Sequence, residues 1–133
     1  MTNPEAIRRR VRLQLLEQRL LVEKLLRLRE QLQGSLFARY GVCGKENCVC
    51  RQGRKHGPYY VLSTRSGGKG GFSYLKGRRA RAARTLVRSH RAFREGLRRL
   101  KRVNAQLVDL LRRYQEAMAH RGERQMGIAS SAQ

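Results

Sequence analysis

Between residues 79 and 120 the side chains at Ala83, Leu86, His90, Phe93, Leu97, Leu100, Asn104, Leu107, Leu111, Tyr114 and Met118 are separated by steps of three and four without a break. Such a heptad repeat predicts a long helix of the coiled-coil type, whose seam has to be covered by another helix. Asn104 stands at an a-type position, where an amide can set register or oligomer state at some cost in stability. His90 stands at another and reads as a half-buried seam residue rather than a ligand. Gly96, on the flank of the seam, marks a kink or a close backbone approach. Phe93, Leu97, Leu100, Asn104, Leu107, Leu111 and Tyr114 are taken as the packing and oligomer seam.

Residues 5–33 supply a partner helix, with Asn3 as its N-cap and Pro4 as its first residue. Leu13, Leu16, Leu20, Leu21, Leu25, Leu28 and Leu32 follow helical spacing. Leu15, Val22 and Leu26 widen that stripe, so the helix has apolar surface for more than one neighbour. Gly34 reads as its stop. Paired antiparallel, the longer second helix outruns the first, which leaves Leu111, Tyr114 and Met118 without a partner in the chain. That overhang points to a homodimer through the second helix. From Arg121 onward no periodicity remains, and residues 121–133 read as a disordered tail.

Residues 34–77 have another character. Tyr59–Arg65 and Phe72–Lys76 are short, aromatic and β-prone, and they flank the Gly-rich stretch Ser66–Gly71, so they read as a β-hairpin. Just before them, Cys43, Cys48, Cys50 and His56 fall within fourteen residues, with the spacing C-x4-C-x-C-x5-H. Three cysteines cannot complete a disulfide framework within one chain. Three thiols and an imidazole form an accepted set for tetrahedral zinc, and a segment this small needs a staple. Cys48 and Cys50 point apart in an extended chain and converge only if it bends at Val49. The competing reading is three small buried thiols and a surface histidine. A redox pair is disfavoured because Cys48-Val49-Cys50 is not C-x-x-C. A catalytic zinc would need an open position and a base, and Glu46 is the one acid nearby. The expected site is therefore closed and structural, with zinc as cofactor, and the chain is not expected to be an enzyme.

The run GSLFARYGVCGKENCVCRQGRKHGPYYVLS, with Cys43-Gly44-Lys45, Cys48, Cys50 and then His56-Gly57-Pro58-Tyr59-Tyr60, resembles a family of bacterial and phage proteins catalogued as a domain of unknown function. The likeness extends from about Gly34 to about Leu111. It implies a helix, a knuckle with a hairpin, and a second helix, along with frequent association with mobile elements; it supplies no activity. Relatives often end the second strand in a Val-Pro-like pair, where this chain has Leu75-Lys76-Gly77.

Charge points to a partner. The net charge is +22, and Arg supplies 25 of the 31 basic residues. Guanidinium forms paired hydrogen bonds with phosphate and stacks on bases, so nucleic acid is the leading partner, with DNA ahead of RNA. From Lys76 to Arg102 there are twelve Lys/Arg against the single Glu95. Arg81, Arg84, Arg88, Arg91, Arg98 and Arg102 follow helical spacing on the side away from the seam, with Arg94, Arg99 and Lys101 beside them. A merely solvated helix face mixes both signs, and this one does not. Lys45, Arg51, Arg54, Lys55, Lys69 and Lys76 extend the basic surface into the knuckle and hairpin. Tyr59, Tyr60, Phe72 and Tyr74 can stack on bases, although hairpin core is the expected role for at least half of them.

No apolar run approaches the roughly 20 residues of a membrane span, and the start is not a signal-peptide core, so a cytoplasmic protein without membrane contact is expected. The expected fold is mainly α in a single domain over 1–133: a helix at 5–33, a Cys3His knuckle-like β-hairpin at 34–77, and a basic coiled-coil helix at 79–120 antiparallel to the first. The leading function is nucleic-acid binding. The alternative is a coiled-coil assembly factor with an acidic partner. Charge reversal at Arg84, Arg88 and Arg91 would disable the first, and changes at Asn104 or Leu107 the second.

Overall fold

A computed structural model describes residues 3–65 and 70–128. The elements are α1 (Pro4–Arg27), β1 (Gly34–Gly41), β2 (His56–Thr64), β3 (Gly71–Leu75) and α2 (Gly77–Gln125), with a short 3-10 turn at Val49–Gln52 between β1 and β2. Two compact units are formed, Leu28–Arg94 and Met1–Arg27 with Glu95–Gln133, so that α2 contributes to both.

In the helical unit, α1 starts as its sequence dictates. Asn3 Oδ1 accepts from the Glu5 N–H at 3.0 Å, and Pro4, which has no N–H to satisfy, takes the first helical position. The helix ends at Arg27, short of the expected 33. Ile7 and Leu25 are buried on α1, and Val103, Leu107 and Leu110 on α2. Gly96 lies so close to Leu25 that a Cβ at that position would collide with the Leu25 side chain. Gln18 Nε2 donates to Asn104 Oδ1 at 2.8 Å. Arg99 pairs with Glu17 at 3.0 Å, and Arg8 donates to Tyr114 Oη at 2.7 Å with its guanidinium over the ring, so Tyr114, expected to overhang, has a partner within the chain.

The seam differs from the expected one. Leu107 is buried, and Leu100 and Tyr114 are half-buried, but Val103 and Leu110 complete the buried stripe in place of Asn104 and Leu111. Leu97, Asn104, Leu111 and Met118 are exposed. Both stripes share Leu107 and Tyr114 and both step by three and four, so periodicity alone does not choose between them. The end of α2 also differs: Arg121–Gln125, read as tail, are helical. Gly127 at φ 67 closes the helix, and the Ile128 N–H donates to the Glu123 carbonyl at 2.9 Å, a glycine stop of the Schellman type. Residues 129–133 of the expected tail lie outside the described residues.

The other unit holds a three-stranded antiparallel sheet in the order β1-β2-β3, rather than a two-stranded hairpin. Leu36, Leu62 and Ser73 share one cross-strand row, and Ala38, Tyr60 and Leu75 the next. Leu62 and Leu75 pack with Ala80, Ala83 and Val87 of α2, joined by Leu32, Leu36 and Tyr60. This explains why α1 stops early: Leu32 serves the sheet core, and its N–H donates to the Leu86 carbonyl at 3.1 Å. His90 and Phe93 are half-buried, as expected of seam residues. Part of the expected hairpin connection, Ser66 to Lys69, lies outside the described residues.

Candidate metal centre and basic surface

The knuckle is the loop that joins β1 to β2. Gly41 pairs with His56 across the two strands, with a bulge between Arg39 and Gly41, so the strand ends hold the loop's two feet together. Cys43 follows β1 and His56 opens β2. Cys48 is extended, at φ −86° and ψ 139°, and the 3-10 turn begins at Val49, the bend needed for Cys48 and Cys50 to converge. Gly53 closes that turn at φ 118°, a conformation that favours glycine.

The three Sγ atoms and one ring nitrogen of His56 all lie within 4.8 Å of one another. Cys43 Sγ and Cys50 Sγ are 3.5 Å apart, and Cys48 Sγ and His56 Nε2 are 3.0 Å apart. Tetrahedral zinc with Zn–S near 2.3 Å requires ligand–ligand edges of about 3.8 Å, so the four donors need move little to enclose an ion. The three cysteines are free thiols. Cys50 is buried, and the other three donors are half-buried. The Cys43 backbone N–H donates to Cys50 Sγ at 3.3 Å, a bond of the kind that supports a thiolate ligand.

Their surroundings shift the two central thiols in opposite directions. The Cys50 backbone N–H, then the side chains of Cys50, Cys43 and His56, bring the Cys48 thiol down to about 6. Burial pushes the Cys50 thiol up, opposed by the backbone N–H of Cys43. The surroundings of Cys48 thus favour its thiolate near neutral pH, whereas Cys50 would have to give up its proton to ligate a metal.

Gly57 fixes the position of His56. It sits at φ 140°, and a Cβ there would lie 2.8 Å from the Arg39 carbonyl oxygen and 2.9 Å from the Tyr40 ring. Only glycine allows β2 to start so close to the end of β1.

A family model described as a domain of unknown function matches residues 6–85, more than half of the chain. The chain belongs to this family, DUF6788. No curated protein and no solved structure matches it. The DUF6788 match includes all four metal-type side chains and the whole sheet; it begins earlier and ends earlier than the resemblance seen in the sequence. The arginines from Arg88 onward lie beyond it.

In the sheet unit, Arg81, Arg88, Arg91 and Arg94 are exposed and make no ion pair or hydrogen bond through their side chains among the described residues. Arg84 lies over the Tyr60 ring at 5.4 Å. Lys45, Arg51, Arg54, Lys55 and Lys76 are exposed, and Lys69 lies outside the described residues. In the helical unit, Arg98 pairs with Glu95 at 3.2 Å and Arg99 with Glu17, while Arg102 is exposed. Hairpin core is the expected role for at least half of Tyr59, Tyr60, Phe72 and Tyr74, but of these four Tyr60 alone joins the core; Tyr59, Phe72 and Tyr74 are exposed. Phe37 and Arg39 were missed because β1 was missed. Leu36, Phe37 and Ala38 are all apolar, so no polar–apolar alternation marks the strand.

Among the described residues no helix is long and apolar enough to cross a membrane.

Proposed function

We propose that this DUF6788 protein is a nucleic-acid-binding module whose sheet unit is stapled by one structural zinc ion on Cys43, Cys48, Cys50 and His56. The observation that carries the binding is the set of arginines without acidic partners, Arg81, Arg88, Arg91 and Arg94, in a stretch, residues 28–94, with sixteen Lys/Arg against Glu30 and Glu46. Like charges at this density repel one another until phosphates screen them, and phosphate contact releases counterions. These arginines would engage the backbone of DNA, with Lys45, Arg51, Arg54 and Lys55 of the knuckle beside the same unit. Phosphate contacts of this kind orient a protein without reading sequence.

The metal's role is structural. Four protein ligands would close its coordination, and Glu46 is exposed, so we assign no catalysis to the site. Free thiols suit a reducing compartment, and we infer a cytoplasmic protein. The contacts Leu25 with Gly96, Gln18 with Asn104 and Arg8 with Tyr114 run in opposite chain directions and support an antiparallel, coiled-coil-like pairing of α1 with the later part of α2.

The test is a salt series on a zinc-loaded, nuclease-treated sample with a 24-base-pair DNA duplex. Each phosphate contact contributes about 0.9 to the slope of log affinity against log salt. Replacing Arg81, Arg88 and Arg91 together by Glu should reduce that slope by about 3 and weaken binding at low salt, with zinc content unchanged. No binding by the wild-type chain at about 50 mM salt would overturn the proposal.

A second reading has its own observation. Leu97, Leu111 and Met118 on α2 and Leu15, Val22 and Leu26 on α1 are exposed apolar side chains of the helical unit. They suit a second copy or another helical partner, which would make the helical unit an assembly surface.

A further inference from the structure

We propose that the sheet face turned away from the core is a stacking surface for the unpaired bases of single-stranded nucleic acid. This rests on the nucleic-acid reading above and goes beyond it by naming the site and the form of the ligand.

The register defines the face. Residues directly opposite one another on neighbouring strands project to the same side of a sheet. The rows through Leu62 and Tyr60 carry the core. The alternate rows are Ser35–Ser63–Phe72, Phe37–Val61–Tyr74, and Arg39–Tyr59. Phe37, Tyr59, Phe72 and Tyr74 therefore share one face, with the buried Val61 between Phe37 and Tyr74 in the register.

All four aromatic residues are exposed, Phe72 to 73% and Tyr74 to 65%. The whole chain has three Phe, five Tyr and no Trp, so half of its aromatic rings stand in solvent on one side of a three-stranded sheet. Phe37 and Tyr74 flank the buried Val61 and help to cover it, but exposure of Phe72 to 73% and of Tyr74 to 65% exceeds what that cover requires. A ring left in water forfeits its burial free energy, and exposed rings on the edge strand β3 invite non-specific association.

Charge selects the occupant. The unit's surplus of Lys/Arg disfavours cationic partners, and Arg39 stands in the row of Tyr59. A ligand suited to both features combines a polyanionic backbone with flat apolar rings that are free to leave it. Single-stranded nucleic acid has that composition, whereas in a duplex the base faces are already stacked on one another. Phe72 and Tyr74, two positions apart on β3, are about 7 Å from each other, and neighbouring strands are about 4.8 Å apart. The rings are thus distributed over a surface wide enough for more than one base.

The test uses the full chain, zinc-loaded, with a labelled 15-nucleotide oligothymidylate and a duplex of equal length, followed by fluorescence anisotropy at one salt concentration. Replacing Phe72 and Tyr74 together by Ala should weaken oligothymidylate binding by about fivefold or more per ring and leave duplex binding unchanged. The conservative pair Phe72→Tyr and Tyr74→Phe should retain binding. Both positions are exposed, so circular dichroism of the alanine variant should match the wild type. Equal oligothymidylate affinity in the alanine variant and the wild type, or equal losses on both ligands, would overturn the stacking site while leaving phosphate binding intact. Failure of the wild-type chain to bind either ligand would remove the nucleic-acid reading itself and the stacking site with it.

Discussion

Cys48 Sγ lies 3.0 Å from His56 Nε2, although Cys48 lies in the loop, His56 opens β2, and the two are eight positions apart in sequence. The strands impose the contact. Gly41 pairs with His56, which closes the β1–β2 connection into a loop, and the turn at Val49 folds Cys48 and Cys50 back toward Cys43.

This arrangement makes the thiols unequal. In the metal-free chain, Cys48 should be the first to react with iodoacetamide at pH 7 and Cys50 the last. The thiolate is the nucleophile, and Cys48 titrates near 6 while burial raises Cys50. The sign follows from the lowered pKa: modification of Cys48 should slow as pH falls through 6 and level off above it. Peptide mass spectrometry over a pH series reads this directly. Equal rates at the two cysteines at pH 7 would contradict the geometry. The same lowered pKa contributes stability to the metal-free fold that is fully present above the ordinary thiol value of 9.0 and lost as pH falls through about 6.

Gly96 offers a test in which propensity and packing disagree. In an ordinary helix interior, Gly→Ala stabilises by about 1 kcal/mol. Here the new Cβ would run into the side chain of Leu25, which is buried and would have to shift within the packed helical unit. Gly96→Ala should therefore lower the unfolding free energy by about 1 kcal/mol or more, and Gly96→Val further. Thermal unfolding measures it, and a higher Tm for Gly96→Ala would show that the helices do not approach closely there.

Seam truncations should separate the two heptad stripes of α2. Val103→Ala and Leu107→Ala remove buried side chains, and Leu107→Ala should cost about 2–5 kcal/mol. Leu97→Ala and Leu111→Ala remove exposed ones and should change monomer stability by less than about 0.5 kcal/mol. Denaturant unfolding at low protein concentration compares them. The reverse ranking would restore the stripe through Asn104 and Leu111.

The sequence carried the long helices well because their signals are local. Asn3 and Pro4 start α1, and the spacing of three and four persists along α2. It carried the four donors well too, since thiols and imidazole in such density have few uses. Three features were hidden by tertiary packing. The segment GSLFARYG has little intrinsic strand preference and forms β1 because β2 is there to pair with it. Leu28 and Leu32 continue the helical spacing of α1, but Leu32 packs against the core of the sheet unit, and the helix ends at Arg27. The choice between Val103/Leu110 and Asn104/Leu111 depends on the facing residues of α1, which a one-dimensional repeat does not contain.

Metal stoichiometry is the measurement to make first. Native mass spectrometry of the intact chain, purified without chelator, should show one zinc ion per chain. That ion should be lost in Cys48→Ser and His56→Ala, retained in a variant with Arg81, Arg88 and Arg91 replaced by Glu, and released by acid as protons compete for the thiolates. A wild-type chain that takes up no zinc from a zinc-containing buffer, yet unfolds cooperatively at the same temperature with and without chelator, would mean that Cys43, Cys48, Cys50 and His56 only pack together.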